Sequence, residues 1–92
     1  MDWYKLKIFH AVAQAGSFTE ASGTLNLSQS AISRQIQSLE LTLKTSLFER
    51  HARGLSLTED GEILFKTANE VIIHLKAVET SLMEKKDKPS GK

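Results

Sequence analysis

The side chains best suited to binding another molecule lie along one predicted helix, in the stretch NLSQSAISRQIQSLE at residues 26–40. Ser30, Arg34 and Gln37 recur at intervals of four and three, so a helix places them on one face, which Gln29 and Ser33 flank. In the major groove of DNA a Gln can bind adenine and an Arg can bind guanine. The pattern favours reading of DNA bases. The alternative is that these side chains are only solvated surface.

The helix that positions these side chains is predicted from its opposite face. Ile32, Ile36, Leu39 and Leu43 fall in one narrow sector, which marks the side that packs on a core. Ser28 is placed to cap this helix, which we expect to span residues 28–43. The N-terminus of the helix also presents free backbone amides and a partial positive charge, and both suit a phosphate group.

Two shorter helices are predicted before it. Asp2 can cap a first helix, which Gly16 ends in the left-handed conformation. Ser17 can cap a second helix that runs to Leu25. Because only residues 26–27 separate the second helix from the third, the pair is a candidate helix-turn-helix.

The segment SLFERHARGLSL at residues 46–57 changes from helical to strand periodicity. Leu55 and Leu57 alternate with polar residues, and Gly54 ends a polar turn. This pattern predicts a two-stranded β-hairpin, or wing. A hairpin of this size is marginal in water, so it must pack against the helices.

The wing carries a small group of basic side chains, Arg50, His51 and Arg53. Arginine at a hairpin tip can lie along the DNA backbone or enter the minor groove, where the negative potential attracts it. We favour a DNA contact for Arg53. For Arg50 an ion pair with Glu49 or Glu40 inside the protein is an equal alternative, and a basic turn can also be simply solvated.

A long last helix is predicted over residues 59–84, with Thr58 as its cap. Its apolar residues follow the alternating spacing of a coiled-coil seam. The seam consists of Leu64, Ala68, Val71, Leu75, Val78 and Leu82. Such a helix is about 39 Å long, whereas a compact domain of this size is roughly 30 Å across. The helix must overhang its domain, and its exposed apolar surface predicts a partner helix from a second copy of the chain.

Part of this seam has an alternative partner within the chain, because the first helix also needs apolar cover. We expect Ile63 and Leu64 to pack on the domain. The distal residues Leu75, Val78 and Leu82 are then left to meet the second copy.

Composition limits the class of protein. The chain has 92 residues, 40% apolar and 25% charged, which fits one small domain. Its net charge is only +1, so any affinity for nucleic acid must come from placed residues. The absence of cysteine suits a reducing cytoplasm. No apolar run approaches the roughly 20 residues of a membrane span, and the first residues do not resemble a signal peptide. We expect a cytoplasmic protein that does not associate with membranes.

Motifs for catalysis or metal binding are not found. Glu70 and His74 lie four residues apart, but an exposed helical pair explains them better than a metal site. The sequence has no glycine-rich phosphate loop, nucleophile elbow or thiol. We expect no enzymatic activity, no catalytic residue, no metal and no cofactor.

FTEASGTLNLSQSAISRQIQSLELTL, followed by LFERHARGLSLTEDG, resembles the N-terminal DNA-binding domain of LysR-type transcriptional regulators over most of residues 2–84. The resemblance implies a mainly α fold: a winged helix-turn-helix of three helices and a two-stranded wing at 1–58, then a linker helix at 59–84 that dimerises, antiparallel in that family. Residues 85–92 would be a flexible tail. By position, Gln29, Ser30, Ser33 and Arg34 would approach bases, Ser28 a phosphate, and Arg53 the DNA beside the wing.

Some positions depart from the family pattern. Ser22 replaces a frequent alanine, Ser30 a frequent proline, and Lys44 the glycine that usually ends the third helix. Leu41 occupies a position that is usually polar. Family members also carry a C-terminal effector-binding domain, so we expect this chain to be a fragment whose small-molecule effector would bind elsewhere.

The sequence therefore predicts a dimeric, sequence-specific DNA-binding domain of a bacterial regulator, with the helix at 28–43 in the major groove. The alternative is a helical interaction module that binds another protein and reads no DNA.

Overall fold

The computed structural model describes residues 1–87, which form four helices and one two-stranded sheet. In chain order these are α1 (Trp3–Ala15), α2 (Phe18–Leu25), α3 (Gln29–Leu43), β1 (Phe48–His51), β2 (Gly54–Leu57) and α4 (Glu59–Asp87). The predicted mainly α fold, a helix-turn-helix with a wing and a long last helix, is confirmed.

Side chains of the predicted cap residues begin all four helices. Each accepts a hydrogen bond from a backbone amide of the first turn, which would otherwise lack a partner. The bonds are Tyr4 N to Asp2 Oδ1 (2.9 Å), Glu20 N to Ser17 Oγ (3.0 Å), Ala31 N to Ser28 Oγ (3.1 Å) and Gly61 N to Thr58 Oγ1 (2.9 Å). These local signals explain why the predicted helix starts agree with the structure.

The core lies where α1 meets the other helices. Its largest fully buried side chains are Phe9, Ile8, Ile32, Leu39, Leu47 and Val12. Ile36 joins them, whereas Leu43 is only half-buried at the end of α3. Removing this apolar surface from water is the main force that holds α3 in place, at about 25 cal/mol for each Å² buried.

The ends of α2 and α3 both use the left-handed conformation. Gly16 ends α1 with φ 76°, Asn26 ends α2 with φ 59° and Lys44 ends α3 with φ 60°. Asn tolerates this region better than most residues, which permits the short connection between α2 and α3. Lys does not, so Lys44 ends α3 at the predicted place but under backbone strain.

The wing is an antiparallel hairpin with a two-residue loop at Ala52 and Arg53, since His51 pairs with Gly54. Gly54 has φ 132°, a conformation open mainly to glycine. Phe48 anchors the hairpin, because its ring lies 5.3 Å from the ring of Phe9. The wing therefore packs on the core as predicted.

The base of the wing is joined tightly to the start of α4. The Thr58 amide donates to the Leu47 carbonyl at 3.0 Å, and the Thr58 hydroxyl donates to the Ser46 carbonyl at 2.7 Å. A Cβ added at Gly61 would lie 2.1 Å from the Leu47 carbonyl oxygen. This contact requires glycine at position 61.

Helix α4 extends to Asp87, beyond the predicted end at Glu84. Residues 85–87, assigned to a tail from the sequence, are helical. The rest of the predicted tail, 88–92, lies outside the described residues. The described chain is elongated, 58 by 25 by 21 Å, so α4 overhangs the domain as predicted.

Candidate nucleic-acid interface

The polar face of α3 points away from the core. Ser30, Arg34 and Gln37 are exposed on one side, and the buried Ile32 and Ile36 lie on the other. The hydrogen-bonding groups of this face are therefore free to meet a ligand. Of the eight residues predicted to contact DNA, seven are exposed and Ser33 is half-buried: Ser28, Gln29, Ser30, Arg34, Gln37, Arg50 and Arg53 are the exposed ones.

The N-terminus of α3 is held by a hydroxyl that has two local partners. Ser28 Oγ accepts from the Ala31 amide and lies 3.2 Å from Ser30 Oγ. A hydroxyl has one donor and two acceptor sites. Ser28 can therefore keep its capping bond while its own proton goes either to Ser30 or to a phosphate oxygen.

Arg50 is held against an aromatic ring. Its guanidinium carbon lies 4.8 Å from the centroid of the Phe18 ring, a cation–π geometry. Glu40, one of the two predicted alternative partners of Arg50, accepts a hydrogen bond from the Leu47 amide at 2.8 Å. Arg50 is exposed, so its charge stays available on the surface.

The wing and the polar face of α3 border one continuous surface. A groove of about 290 Å³ between α3 and β1 is lined by Ser33, Gln37 and Arg50, among others. A second hollow of about 270 Å³ is lined by both Arg50 and Gln29, the first residue of α3. Arg50 thus lies where the helix face and the wing meet.

Arg53 occupies the tip of the wing, away from this junction. It is one of the two loop residues and is exposed. On the neighbouring strand positions His51 Nε2 lies 2.6 Å from Ser56 Oγ, which adds a cross-strand bond to a short hairpin. The wing therefore presents Arg53 on a locally braced turn.

Two features of this surface were not predicted from the sequence. Phe18 is half-buried and packs against the core, and its ring also lies against the Arg50 guanidinium. The bond between His51 and Ser56 was not foreseen either. The strand register could have indicated the second, because Ser56 pairs with Glu49, two residues from His51 on the same face. No local pattern could have indicated the contact between Arg50 and Phe18, because these residues are far apart in the sequence.

The predicted seam of α4 divides between two environments. Ala68 is 0% exposed and belongs to the core of its own domain, so its assignment to a dimer interface is wrong. Leu64 is half-buried and packs against the same core, and Val71 is also half-buried. Leu75, Val78 and Leu82 are 43%, 55% and 55% exposed. Ile63, expected to pack on the domain, is 63% exposed instead.

The boundary within the seam follows from the length of α1. Helices α1 and α4 line one groove that reaches along α4 as far as Glu79, because α1 has 13 residues and α4 has 29. Leu75 lines this groove beside Trp3 but is still 43% exposed, and Val78 and Leu82 are more exposed. No helix within residues 1–87 combines the length and the apolar character that crossing a membrane requires.

Three helices, a short wing and an exposed polar α3 define a winged helix-turn-helix. The family model described as bacterial regulatory helix-turn-helix protein, lysR family, matches residues 3–62. The chain belongs to this family.

Relatives and solved structures agree with the assignment. The chain is 41% identical over 86 residues to the HTH-type transcriptional regulator GltR of Bacillus subtilis (strain 168) and 42% identical over 86 residues to YofA of Bacillus velezensis. These alignments cover 94% of this chain but only 29% and 30% of the relatives. The chain thus spans less than a third of their length.

Structures similar to this chain include several solved in complex with DNA. The BenM_DBD/catB site 1 DNA complex has a TM-score of 0.86 at 29% identity, covering 97% of this chain and 99% of that one. The CbnR_DBD-DNA complex has a TM-score of 0.76 at 35% identity, covering 96% and 100%. Full-length AphB of Vibrio cholerae has a TM-score of 0.80 at 34% identity, covering 89% of this chain and 28% of that one.

Proposed function

We propose that this chain is the DNA-binding part of a bacterial transcriptional regulator and binds double-stranded operator DNA as a dimer. The observation that carries the proposal is the exposed polar face of α3, with Ser30, Arg34 and Gln37 aligned on a winged helix-turn-helix. Family membership and the similarity to chains solved in complex with DNA support it.

In this proposal α3 enters the major groove. Gln29, Ser30, Ser33 and Arg34 occupy its N-terminal half and approach base edges, where glutamine suits adenine and arginine suits guanine. Gln37 lies one turn further along the same face and contacts a base or a phosphate. Ser33 is half-buried, so it reaches only a groove that fits closely around the helix.

Backbone contacts fix the position of α3 in the groove. The α3 N-terminus and the Ser28 hydroxyl bind one phosphate, since free amides and the helix dipole favour an anion there. Arg50 binds another phosphate at the junction of α3 and the wing, with Phe18 holding the guanidinium in place. Arg53 at the wing tip contacts flanking DNA, along the backbone or in the minor groove.

The overhanging part of α4 supplies the dimer contact. Leu75, Val78 and Leu82 form an exposed apolar stripe that begins at the edge of the α1 contact, and a second copy of α4 would cover it. Val71 lies at the inner edge of that contact. A two-fold dimer would present its two α3 helices to half-sites about 34 Å apart, or a multiple of that distance.

DNA binding in bacteria takes place in the cytoplasm, so we propose that location. No residue is assigned a catalytic, metal-binding or cofactor-binding role, and the relatives are named as transcriptional regulators. Any small-molecule effector would bind outside this chain, in the part of the relatives' length that it does not span.

A selection of bound duplexes from a random pool, followed by sequencing, tests the proposal. We expect a motif with two related half-sites. Fluorescence anisotropy on the selected duplex and on a scrambled duplex across a salt series then gives the specificity ratio, typically 10³ or more, on the order of 4 kcal/mol. No enriched motif, with equal weak binding to both duplexes, would instead favour an interaction module that reads no DNA.

A further inference from the structure

A buried polar side chain joins the domain to its overhanging helix. His10 is 8% exposed, and among residues 1–85 it is the single buried side chain that is polar or charged. It lies in α1, in which Phe9 and Val12 are also buried. Burying such a group without a partner costs free energy, so its partners matter.

Both partners of His10 are on α4. The imidazole Nε2 lies 2.6 Å from Asn69 Oδ1, and because an amide oxygen only accepts, Nε2 donates. The imidazole ring also stacks on Phe65, with centroids 5.1 Å apart and planes inclined by 19°. Phe65 and Asn69 are one helical turn apart, so two successive turns of α4 contact the imidazole.

These contacts add a directional restraint to the surrounding apolar packing. The hydrophobic effect itself is non-directional, whereas a hydrogen bond weakens steeply when its angle departs from linearity. The contacts also lie close to the end of the buried core on α4, because Ala68 is fully buried whereas Leu75, two turns further along the same stripe, is 43% exposed. They are therefore placed to set the angle at which α4 projects.

The length of α4 beyond this point magnifies a small change of angle. From Asn69 to Asp87 the helix extends about 27 Å at 1.5 Å per residue. A tilt of about 10° would move its far end by roughly 5 Å, more than the roughly 3.4 Å that separates successive base pairs.

We propose that the His10–Asn69 hydrogen bond sets the direction of α4 relative to the domain and thereby fixes the half-site spacing that the dimer accepts. The effect on half-site spacing rests on the proposed function, since it needs a dimer bound to two half-sites. The effect on the direction of α4 concerns the single chain alone. His10 and Asn69 are positioning residues in this proposal and contact no DNA.

The direction of α4 can be measured by electron spin resonance. The chain has no cysteine, so Thr24→Cys in α2 and Thr80→Cys in α4, both exposed, give one pair of spin labels. Labelled protein is diluted with unlabelled protein so that each dimer carries one pair. We expect a narrow distance distribution for the native chain and a broader or shifted one for Asn69→Leu.

A second variant separates the bond from the packing. His10→Phe keeps an aromatic ring against Phe65 but removes the donor, so it should broaden the distribution as Asn69→Leu does. Thr67→Val, which removes an exposed polar group from the same part of α4, is the matched control and should leave it unchanged. Native-like distributions in both Asn69→Leu and His10→Phe would overturn the proposal.

The spacing clause is tested with duplexes that carry the selected half-sites and a spacer lengthened or shortened by one base pair. In the native chain the changed spacer should lower the binding affinity. In Asn69→Leu the loss of affinity caused by the changed spacer should be smaller by about 2- to 10-fold, the factor that corresponds to one hydrogen bond. The half-site sequence should stay the same. An unchanged penalty would overturn the spacing clause, whereas the lack of any selected motif would overturn the proposed function and leave the spin-label result standing.

Discussion

The guanidinium of Arg50 lies over the ring of Phe18, 4.8 Å from its centroid, and so joins the wing to the start of α2. An exposed arginine normally samples many rotamers and loses that freedom on binding. Contact with the ring restricts it before any ligand arrives. The pair therefore presents a preorganised positive charge beside the polar face of α3.

Arg50→Ala should weaken binding to all duplexes alike and lower the dependence of log K on log salt by about 0.9, the share of one phosphate. Phe18→Leu should cost about 0.5–1.5 kcal/mol of binding, because Arg50 must then lose its rotamer freedom when it binds. Anisotropy titrations at several salt concentrations measure both. If Phe18→Leu weakened binding as much in the Arg50→Ala background as alone, the ring would not act through Arg50.

Arg34→Ala should cost about 1–3 kcal/mol of binding and relax preference at one base pair, if Arg34 reads a guanine. A repeated duplex selection shows which position loses its preference. Lys66→Ala, which removes a positive charge from the exposed side of α4, is the control and should leave the motif intact. Equal loss on every sequence would make Arg34 a phosphate contact.

Changing Leu75 and Val78 to Asp should abolish the dimer, because two charges would enter the apolar stripe on each copy. Sedimentation velocity over a range of concentrations measures the association. Ile73→Asp alters an equally apolar residue, 64% exposed but on another side of α4, and should leave the dimer intact. A native chain that remained monomeric at high concentration would remove the dimer from the proposed function.

Gly61→Ala should destabilise the fold by about 1–3 kcal/mol or more, since overpacking at this level must displace backbone. The added Cβ would meet the Leu47 carbonyl oxygen at 2.1 Å. Gly23→Ala is the matched control: it lies within α2 with nothing within 4 Å of the new Cβ, so it should stabilise by about 0.5–1 kcal/mol. Urea unfolding followed by circular dichroism compares the two. Similar free energies of unfolding for both variants would contradict the assigned role of Gly61.

Lys44→Gly should stabilise the chain by about 0.5–1 kcal/mol, because glycine adopts φ 60° without the steric cost that lysine bears. Part of that gain is offset by the greater freedom of glycine in the unfolded chain. Lys44→Ala keeps the left-handed strain and should bring no gain. Thermal unfolding of the native chain and both variants measures the change in Tm. An equal rise in Tm for Lys44→Ala would show that the charge of Lys44, and not its backbone conformation, destabilises the native chain.

Local signals made most of the fold predictable from the sequence. Asp2, Ser17, Ser28 and Thr58 each begin a helix through a bond to an amide within the next three residues, so the pattern contains both partners. The stripe of Ile32, Ile36 and Leu39 likewise fixes which side of α3 is exposed.

Features that depend on distant residues were not predictable in the same way. Arg50 meets Phe18 only because the wing folds back onto α2, and no local pattern shows this. The spacing of the α4 seam is the same on both sides of the domain boundary, so the sequence could not show that Ala68 is buried while Leu75 is exposed. That difference in burial depends on how far α1 extends along α4 in the folded chain.

Hydrogen bonds of Thr58 connect the wing to the start of α4. Its hydroxyl accepts from the Gly61 amide of α4 and donates to the Ser46 carbonyl before β1, and its own amide donates to the Leu47 carbonyl. Because these hydrogen bonds leave no flexible linker between α4 and the wing, a rotation of α4 would also move the hairpin. If the distal stripe and Arg53 make the proposed contacts, a displacement of α4 in the dimer would also move Arg53 relative to the duplex.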